Sequence, residues 1–130
     1  MAASSFTDLE VWQRAHALRL DVYRLTAGFP RVEIYRLSNQ MIRAASSIPA
    51  SIAEGFRRFH PKDKAHFYRV SDGSSAELLD AFYVCRDLKY LPDITPFMQR
   101  IDVIQRMLRR LIQATLGLRP PSAESSRPGS

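Results

Sequence analysis

Arginine carries the strongest chemical signal in this sequence. The chain has 19 lysines and arginines against 13 acidic residues, a formal net charge of +6, and its only lysines are Lys62, Lys64 and Lys89. A guanidinium group binds phosphate through two parallel hydrogen bonds and stacks on bases, so this bias suits a nucleic-acid surface. A GC-rich coding sequence would also enrich arginine, so composition alone does not distinguish these two explanations. The positions of the arginines have to distinguish them.

One concentration of arginine lies near the end of the last helical segment. Arg106, Arg109 and Arg110 fall on the helix arc opposite the apolar residues, and only Asp102 stands four residues from one of them. A merely solvated helix face usually alternates the signs of its charges, and this face does not. The spacing predicts an exposed, unbalanced cationic face that can contact phosphates.

A second concentration lies between the second and third helical segments. Phe59 and His60 stand there among four cations, namely Arg57, Arg58, Lys62 and Lys64. Proteins that bind single-stranded nucleic acid combine charge with stacking surfaces in this way. The alternative is a polar turn between helices with Phe59 packed into the core, and the sequence is compatible with both interpretations.

The chain offers little that could form a catalytic or metal site. His16, His60 and His66 lack the four-residue spacing that puts two ligands on one helix face, and no paired-cysteine motif is present. Cys85, on an apolar helical face, is expected to be a buried core thiol rather than a nucleophile. We therefore expect a protein that is not an enzyme, with no cofactor and no metal.

A stripe of small residues follows the second helical segment. Its members recur at steps of three and four: Ala44, Ser47, Ser51 and Gly55. Such a stripe lets another helix approach closely, and Gly73 on the third segment is expected to be the matching gap. Glu54 stands beside the stripe, and a buried carboxylate needs a partner. We expect an arginine or backbone donors to meet Glu54. We therefore expect Glu54 to form a structural ion pair rather than to act as a general base.

Length and composition describe one small domain. At 130 residues, 45% of them hydrophobic, the chain suits a single globular domain over residues 1–117. Residues 118–130, rich in arginine, proline, serine and glycine, predict a disordered tail. The single cysteine excludes a disulfide framework within the chain. No apolar run is long enough to span a bilayer and the N-terminus lacks a secretory pattern, which predicts a cytoplasmic protein without a membrane partner.

Four helical segments must position these residues. Apolar residues at steps of three and four predict helices over residues 8–27, 33–59, 61–90 and 93–116, with proline or glycine breaks between them. Pro49 interrupts the second segment, and because the periodicity runs through it, we expect one kinked helix rather than two. Strand patterns are absent. Four long helices with short connections favour an all-α, antiparallel up-down-up-down four-helix bundle.

Several stretches resemble a known family. The opening residues 6–12, FTDLEVW, and above all residues 42–55, IRAASSIPASIAEG, resemble the four-helix-bundle family of proteins encoded in 23S ribosomal RNA intervening sequences. Residues 73–74, 77–78 and 88–91 resemble its third-helix pattern, although Ser51 replaces a common asparagine and Lys89 a common glycine. The resemblance covers residues 6–116 and implies an antiparallel bundle that assembles as a ring-like homopentamer. It brings no catalytic residues.

The sequence is also similar to the accessory variability determinant proteins of diversity-generating retroelements, which are basic pentamers that engage a reverse transcriptase and nucleic acid. The leading hypothesis is a non-enzymatic homo-oligomer whose basic surface binds RNA or another nucleic acid. The candidate contacts are the seven cations of the two concentrations, and the structural motif comprises Pro49, Glu54, Gly55 and Gly73. The alternative is a protein-interaction module, an accessory to a nucleic-acid enzyme such as a reverse transcriptase, whose positive surface meets an acidic partner.

Overall fold

The fold is all-α. The computed structural model describes residues 2–118, and within them four helices and no strand occur: α1 (Glu10–Thr26), α2 (Leu37–Arg57), α3 (Pro61–Asp87) and α4 (Thr95–Thr115). Short 3₁₀ turns at Phe6–Asp8 and Arg31–Glu33 precede α1 and α2. The predicted four-helix class is confirmed. Residues 119–130, where most of the predicted disordered tail falls, lie outside the described part of the chain.

Each helix packs against two neighbours, as in an up-down-up-down bundle. α1 and α3 each contact α2 and α4, while α1 lies diagonally across from α3 and α2 diagonally across from α4. Asp21, late in α1, accepts a 2.7 Å hydrogen bond from Arg100, early in α4. Lys64, early in α3, reaches the last carbonyls of α2. These pairings of helix ends show that neighbouring helices run antiparallel, as predicted.

The core consists of the apolar stripes that the periodicity predicts on α1, α2 and α4. Ile101, Ile104 and Leu108 of α4 are fully or almost fully buried, and Phe97 stacks on the buried ring of Phe82 with centroids 4.6 Å apart. Ala15, Leu18 and Val22 of α1 are completely buried, as are four predicted positions of α2, namely Met41, Ala45, Ile48 and Ile52. These stripes hold four amphipathic helices around one core.

The apolar stripe predicted on α3 is only partly correct. Its predicted members are Phe67, Val70, Ser74, Leu78, Ala81, Cys85 and Leu88. Ser74, Leu78, Ala81 and Cys85 are buried, but Val70 and Leu88 are exposed. Tyr68, Ser71 and Ser75 are buried as well. The apolar pattern misses Ser71 and Ser75, because hydrogen bonds rather than hydrophobicity make their burial acceptable.

The buried serines of α3 join three helices at the middle of the bundle. Ser71 Oγ donates to the Ile48 carbonyl at 2.8 Å, and Ser74 Oγ lies 2.7 Å from Ser47 Oγ on α2. Gln105 of α4 donates to Ser75 Oγ at 3.0 Å. A small polar side chain with a satisfied hydroxyl lets helices approach closely without leaving an unpaired group. The stripe of small residues on α2 therefore faces α3 inside the bundle.

Pro49 lies inside α2, which is continuous from Leu37 to Arg57, so the prediction of one helix rather than two is confirmed. Proline lacks the N–H that would bond the carbonyl four residues earlier. Ser46 and Ser47 are not the groups that compensate for this loss. Ser47 bonds Ser74, and Ser46 Oγ is buried with no hydrogen-bond partner in the described residues. Pro49 itself is buried, and packing around it supports the helix.

Gly55 and Gly73 occupy opposite environments. Gly55 is buried, and a Cβ built on it would stand 2.7 Å from Tyr68 Cε1 and 3.1 Å from the Lys64 carbonyl oxygen. It marks the close crossing of α2 and α3 that the sequence predicts. Gly73 is exposed, and a Cβ there would meet no atom within 4 Å. The expectation that Gly73 is the matching gap is wrong, because Tyr68 and the serines of α3 fill that role.

Glu54 finds the arginine partner that the sequence predicts, but at the surface. Arg58 Nη2 donates to Glu54 Oε1 at 2.7 Å, with the carboxylate side chain 42% exposed. The expected burial of Glu54 is therefore wrong. Residues on successive turns of a helix surface form such pairs without leaving water, which removes the desolvation penalty that motivated the prediction.

Helix boundaries differ from the prediction where local hydrogen bonds compete with helix formation. α1 begins at Glu10, because Ser5 and Asp8 cap the preceding 3₁₀ turn rather than α1 itself. The Ser5 N–H and the Ser4 groups hold the pKa of the Asp8 carboxyl below its usual value.

α2 begins at Leu37 rather than near Glu33. Glu33 is buried in the preceding turn and accepts a 2.7 Å hydrogen bond from the Tyr90 hydroxyl.

α3 ends in a left-handed cap on a lysine. Lys89 has φ +62°, the Lys89 N–H donates to the Arg86 carbonyl at 3.1 Å, and the Tyr90 N–H donates to the Cys85 carbonyl at 2.9 Å. This pair of bonds is a Schellman motif, in which glycine usually takes the left-handed position. The family resemblance places a common glycine at this position. The helix therefore ends before residue 90, at Asp87.

Candidate nucleic-acid interface

The turn between α2 and α3 is short and held by caps on both sides. α2 ends at Arg57 and α3 begins at Pro61, where proline suits the first helical turn. His60 is the N-cap of α3, and its Nδ1 accepts a hydrogen bond from the Lys62 N–H at 3.2 Å. Asp63 adds an acidic group to the positive end of the helix dipole. These local preferences hold a tight turn that projects from the bundle.

Phe59, at the tip of this turn, is 99% exposed. The alternative in which Phe59 packs into the core is therefore wrong. The turn holds only three residues between the helices. A phenyl ring left in water forgoes the stabilisation that burial would provide.

The four cations of the turn have different surroundings. Arg57 and Lys62 are exposed and have no ion-pair partner among residues 2–118. Arg58 pairs with Glu54, and its guanidinium lies 4.7 Å from the centroid of Phe67. Lys64 is partly buried, and its Nζ donates to the Phe56 carbonyl at 2.7 Å and to the Gly55 carbonyl at 3.3 Å. Its charge stabilises the C-terminus of α2.

The arginines of α4 lie on an exposed face, as the helical spacing predicts. Arg106 pairs with Asp102 at 2.8 Å, and both side chains remain more than half exposed. Arg109 and Arg110 are exposed and have no ion-pair partner in the part of the chain that the structure describes. An exposed pair such as Arg106 with Asp102 contributes little, so all three guanidinium groups can reach a ligand.

Both concentrations lie toward the same end of the bundle. The antiparallel order brings the end of α2, the start of α3, the start of α1 and the end of α4 to that end. A surface recess lined by Leu9, Val11, Met107, Arg110 and Leu111 shows the last turns of α4 beside the start of α1. Sequence spacing alone could not place the two concentrations together, because they lie about fifty positions apart in the chain.

One polar recess contains residues that sequence reasoning missed. It has a volume of about 470 Å³ and lies between α2 and α3, lined among others by Arg36, Asn39, Gln40 and Arg43. Ala44, Ser47, Ser74 and Glu77 complete its lining. The seven-residue step from Arg36 to Arg43, with amides between them, was a helical signal that could have identified this polar face. The recess lies in the first half of α2, away from the turn at Phe59.

Cys85 has the surroundings predicted for a core thiol. It is fully buried, and its Sγ lies 3.4 Å from Met41 Sδ. Burial, with a smaller effect from the charge of Glu33, raises the pKa of the Cys85 thiol to about 11. Among residues 2–118, no group of three or more His, Cys, Asp or Glu side chains could hold a metal ion. No helix in this range is long and apolar enough to cross a membrane.

The described residues form an antiparallel four-helix bundle. Arg57, Lys62, Arg109 and Arg110 are exposed toward one end of it, which we call the cationic end. The family model described as 23S rRNA-intervening sequence protein matches residues 7–110. The chain therefore belongs to the 23S rRNA-intervening sequence protein family, which the resemblance of residues 42–55 indicates at the level of sequence. A search of the curated proteins found no match to the chain.

Proposed function

We propose that this protein is a non-enzymatic RNA-binding protein of the cytoplasm that holds nucleic acid at the cationic end of its bundle. One observation supports this most strongly. Arg57, Lys62, Arg109 and Arg110 are exposed toward one end of the molecule without acidic partners among the described residues. The family name connects the chain with ribosomal RNA, which supports RNA as the first ligand to test.

The chemistry of these side chains suits phosphates rather than a small substrate. Guanidinium groups on a helix surface make bidentate contacts with phosphate oxygens and release the counterions of the nucleic acid. Such contacts bind the backbone of any sequence. Arg58 contributes less, because Glu54 already neutralises it, and Lys64 contributes least, because carbonyl oxygens already accept its hydrogen bonds.

The test removes charge from each concentration separately. One variant changes Arg106, Arg109 and Arg110 to glutamine, and another changes Arg57, Arg58 and Lys62. A matched control changes three exposed cations at the opposite end to glutamine, namely Arg31, Arg36 and Lys89. All three variants lose the same net charge, so the comparison separates a local site from a general effect of positive charge.

The measurement is a fluorescence-anisotropy titration with single-stranded and hairpin RNA at several salt concentrations. Each lost phosphate contact should lower the slope of log affinity against log salt by about one unit. The two site variants should lose affinity and slope, and the control should lose less of both. Equal losses in all three variants, or no salt-dependent binding by the wild type, would contradict the proposal.

Self-association belongs to the same proposal, with the ring-like homopentamer of the family resemblance as the expected state. The segment that joins α1 to α2 supports it, because Val32, Ile34 and Tyr35 are exposed there. An exposed apolar segment favours association between subunits. A ring would also multiply weak phosphate contacts by the number of subunits. Light scattering should give a mass several times the 14.9 kDa of the chain, and a stable monomer would contradict this part.

The second candidate is a protein-interaction module that assists a nucleic-acid enzyme such as a reverse transcriptase. The apolar recess between the start of α1 and the end of α4, lined by Leu9, Val11, Met107 and Leu111, favours it. Arg110 also lines this recess and would meet an acidic partner. Absence of RNA binding, together with saturable binding to an acidic protein, would support this candidate over the first.

A further inference from the structure

Phe59 is the most exposed large apolar side chain among residues 2–118. The caps at Arg58 and His60 hold the short turn that carries it, so the ring is presented from a fixed base. Among the residues that the structure describes, no hydrogen bond, aromatic contact or core contact uses the ring. A rigid, solvent-exposed phenyl group is a stacking surface without a partner in the fold.

The surroundings of the ring are polar and charged. A recess of about 490 Å³ beside Phe59 is lined by Arg57, Arg58, His60, Asp63 and Glu54. Arg58 is held by Glu54 at 2.7 Å and by the Phe67 ring, whereas Arg57 has no ion-pair partner in the described residues. Lys62 lies on the other side of Phe59 along the chain and is also exposed without an ion pair. Along the chain, the ring therefore stands between two cations that form no ion pair within residues 2–118.

We propose that an unpaired base of single-stranded RNA stacks on Phe59 while Arg57 and Lys62 contact the phosphates on either side of it. This inference rests on the proposed function and specifies its ligand. Every base has a π face that can cover the ring, and adjacent cations can neutralise the backbone that carries the base. Bases inside a duplex already stack on each other and cannot cover the ring without leaving the helix.

A protein partner fits this turn less well. The centres of protein interfaces are depleted in charged residues, and lysine in particular is rare there. Phe59 instead has Arg57 two positions before it and Lys62 three positions after it, and the recess beside it contains both carboxylates and guanidinium groups. Charge next to an aromatic ring is what a nucleotide requires, because each base brings its own phosphate.

The test compares Phe59→Ala with a matched control, Tyr23→Ala. Tyr23 is 50% exposed and lies late in α1, toward the opposite end of the bundle. Neither ring supports the core, so both variants should keep the melting temperature of the wild type. The probes are a single-stranded RNA of mixed sequence and its fully paired duplex, titrated by fluorescence anisotropy at fixed salt.

Phe59→Ala should weaken single-strand binding about tenfold or more, which is within the range for loss of one stacked base. Duplex binding should change much less, and Tyr23→Ala should leave both nearly unchanged. Phe59→Trp should preserve the affinity, and the emission of the added indole should fall when single-stranded RNA binds, which a merely structural role would not produce.

Four results would overturn the inference. Salt-dependent binding by the wild type that Phe59→Ala leaves intact would remove the stacking role while preserving the proposed function. Equal losses for single strand and duplex would show that the ring does not contact unpaired bases. A fall in the light-scattering mass of Phe59→Ala would make the ring a contact between protein chains. Absence of binding to any probe by the wild type would overturn the proposed function as well.

Discussion

Replacement of Gly55 by alanine tests the closest helix crossing in the bundle. An alanine Cβ would stand 2.7 Å and 2.9 Å from two ring carbons of Tyr68 and 3.1 Å from the Lys64 carbonyl oxygen. Favourable contact between carbon atoms needs about 3.5–4.0 Å. The ring would have to move by roughly 1 Å, and Tyr68 is only 2% exposed, so the space around it is already filled.

The size of the effect follows from two opposing contributions. Overpacking of a filled core typically costs about 1–3 kcal/mol, and the rigid ring together with a backbone oxygen favours the upper part of that range. Alanine gains about 1 kcal/mol over glycine in a helix. We therefore expect Gly55→Ala to lower the free energy of unfolding by about 1–2 kcal/mol.

Gly73→Ala is the matched control, because the same substitution in α3 meets open space. It should raise the free energy of unfolding by up to about 1 kcal/mol. The two variants should therefore differ by about 2–3 kcal/mol, which corresponds to roughly 10 °C in melting temperature for a chain of this size. Thermal unfolding followed by circular dichroism measures this difference directly.

A double-mutant cycle identifies the cause. Tyr68→Leu removes the ring atoms nearest to the new Cβ, so Gly55→Ala should cost less in that background than in the wild type. An equal cost in both backgrounds would show that the ring is not responsible. If Gly55→Ala stabilised the protein as much as Gly73→Ala, the close crossing itself would be refuted.

Three further variants test contacts described above. Lys89→Gly should stabilise the protein by about 1 kcal/mol, because a lysine at φ +62° carries a strain that glycine lacks, and an unchanged melting temperature would contradict this. The Arg100 guanidinium holds the pKa of the Asp21 carboxyl below its usual value, so this pair stabilises the fold above about pH 4 and the contribution is lost as pH falls through the lowered pKa. Asp21→Asn should therefore lower the free energy of unfolding by no more than about 1 kcal/mol at neutral pH, and should reduce the dependence of that free energy on pH in the acid range. An unchanged pH dependence in the acid range would refute this contribution of the Asp21–Arg100 pair. Lys64→Met should destabilise the fold by about 0.5–1 kcal/mol yet weaken RNA binding less than Lys62→Met does, and the opposite ranking would restore Lys64 as a ligand contact.

The sequence predicts the fold well where apolar side chains alone determine burial. The stripes of α1 and α4, the continuity of α2 through Pro49 and the close approach at Gly55 all follow from residue size and helical spacing. The first half of α3 could not be predicted in this way. Ser71 and Ser75 are buried because they bond a carbonyl and a glutamine of other helices, and no periodicity in α3 reveals those partners.

The candidate site was predictable in composition but not in arrangement. The arc of Arg106, Arg109 and Arg110 follows from the helix period, and the cluster around Phe59 follows from its place between two helices. Which of these cations are neutralised depends on the residues that the fold brings next to them. Arg58 meets Glu54 within its own helix, a four-residue step that is visible in the sequence, whereas the bonds from Lys64 to the end of α2 need the folded turn.

The buried thiol of Cys85 is a built-in chemical probe of unfolding. It is the only cysteine in the chain, and with a pKa near 11 and no exposure to solvent it cannot react with an alkylating reagent while the core is closed. Labelling therefore requires an opening that separates α3 from Met41 of α2. When opening and reclosing are fast relative to the chemistry, the labelling rate gives the population of opened molecules under native conditions. The same measurement on an RNA-bound sample would reveal whether a ligand at one end of the bundle slows the opening of the other end, where Cys85 lies.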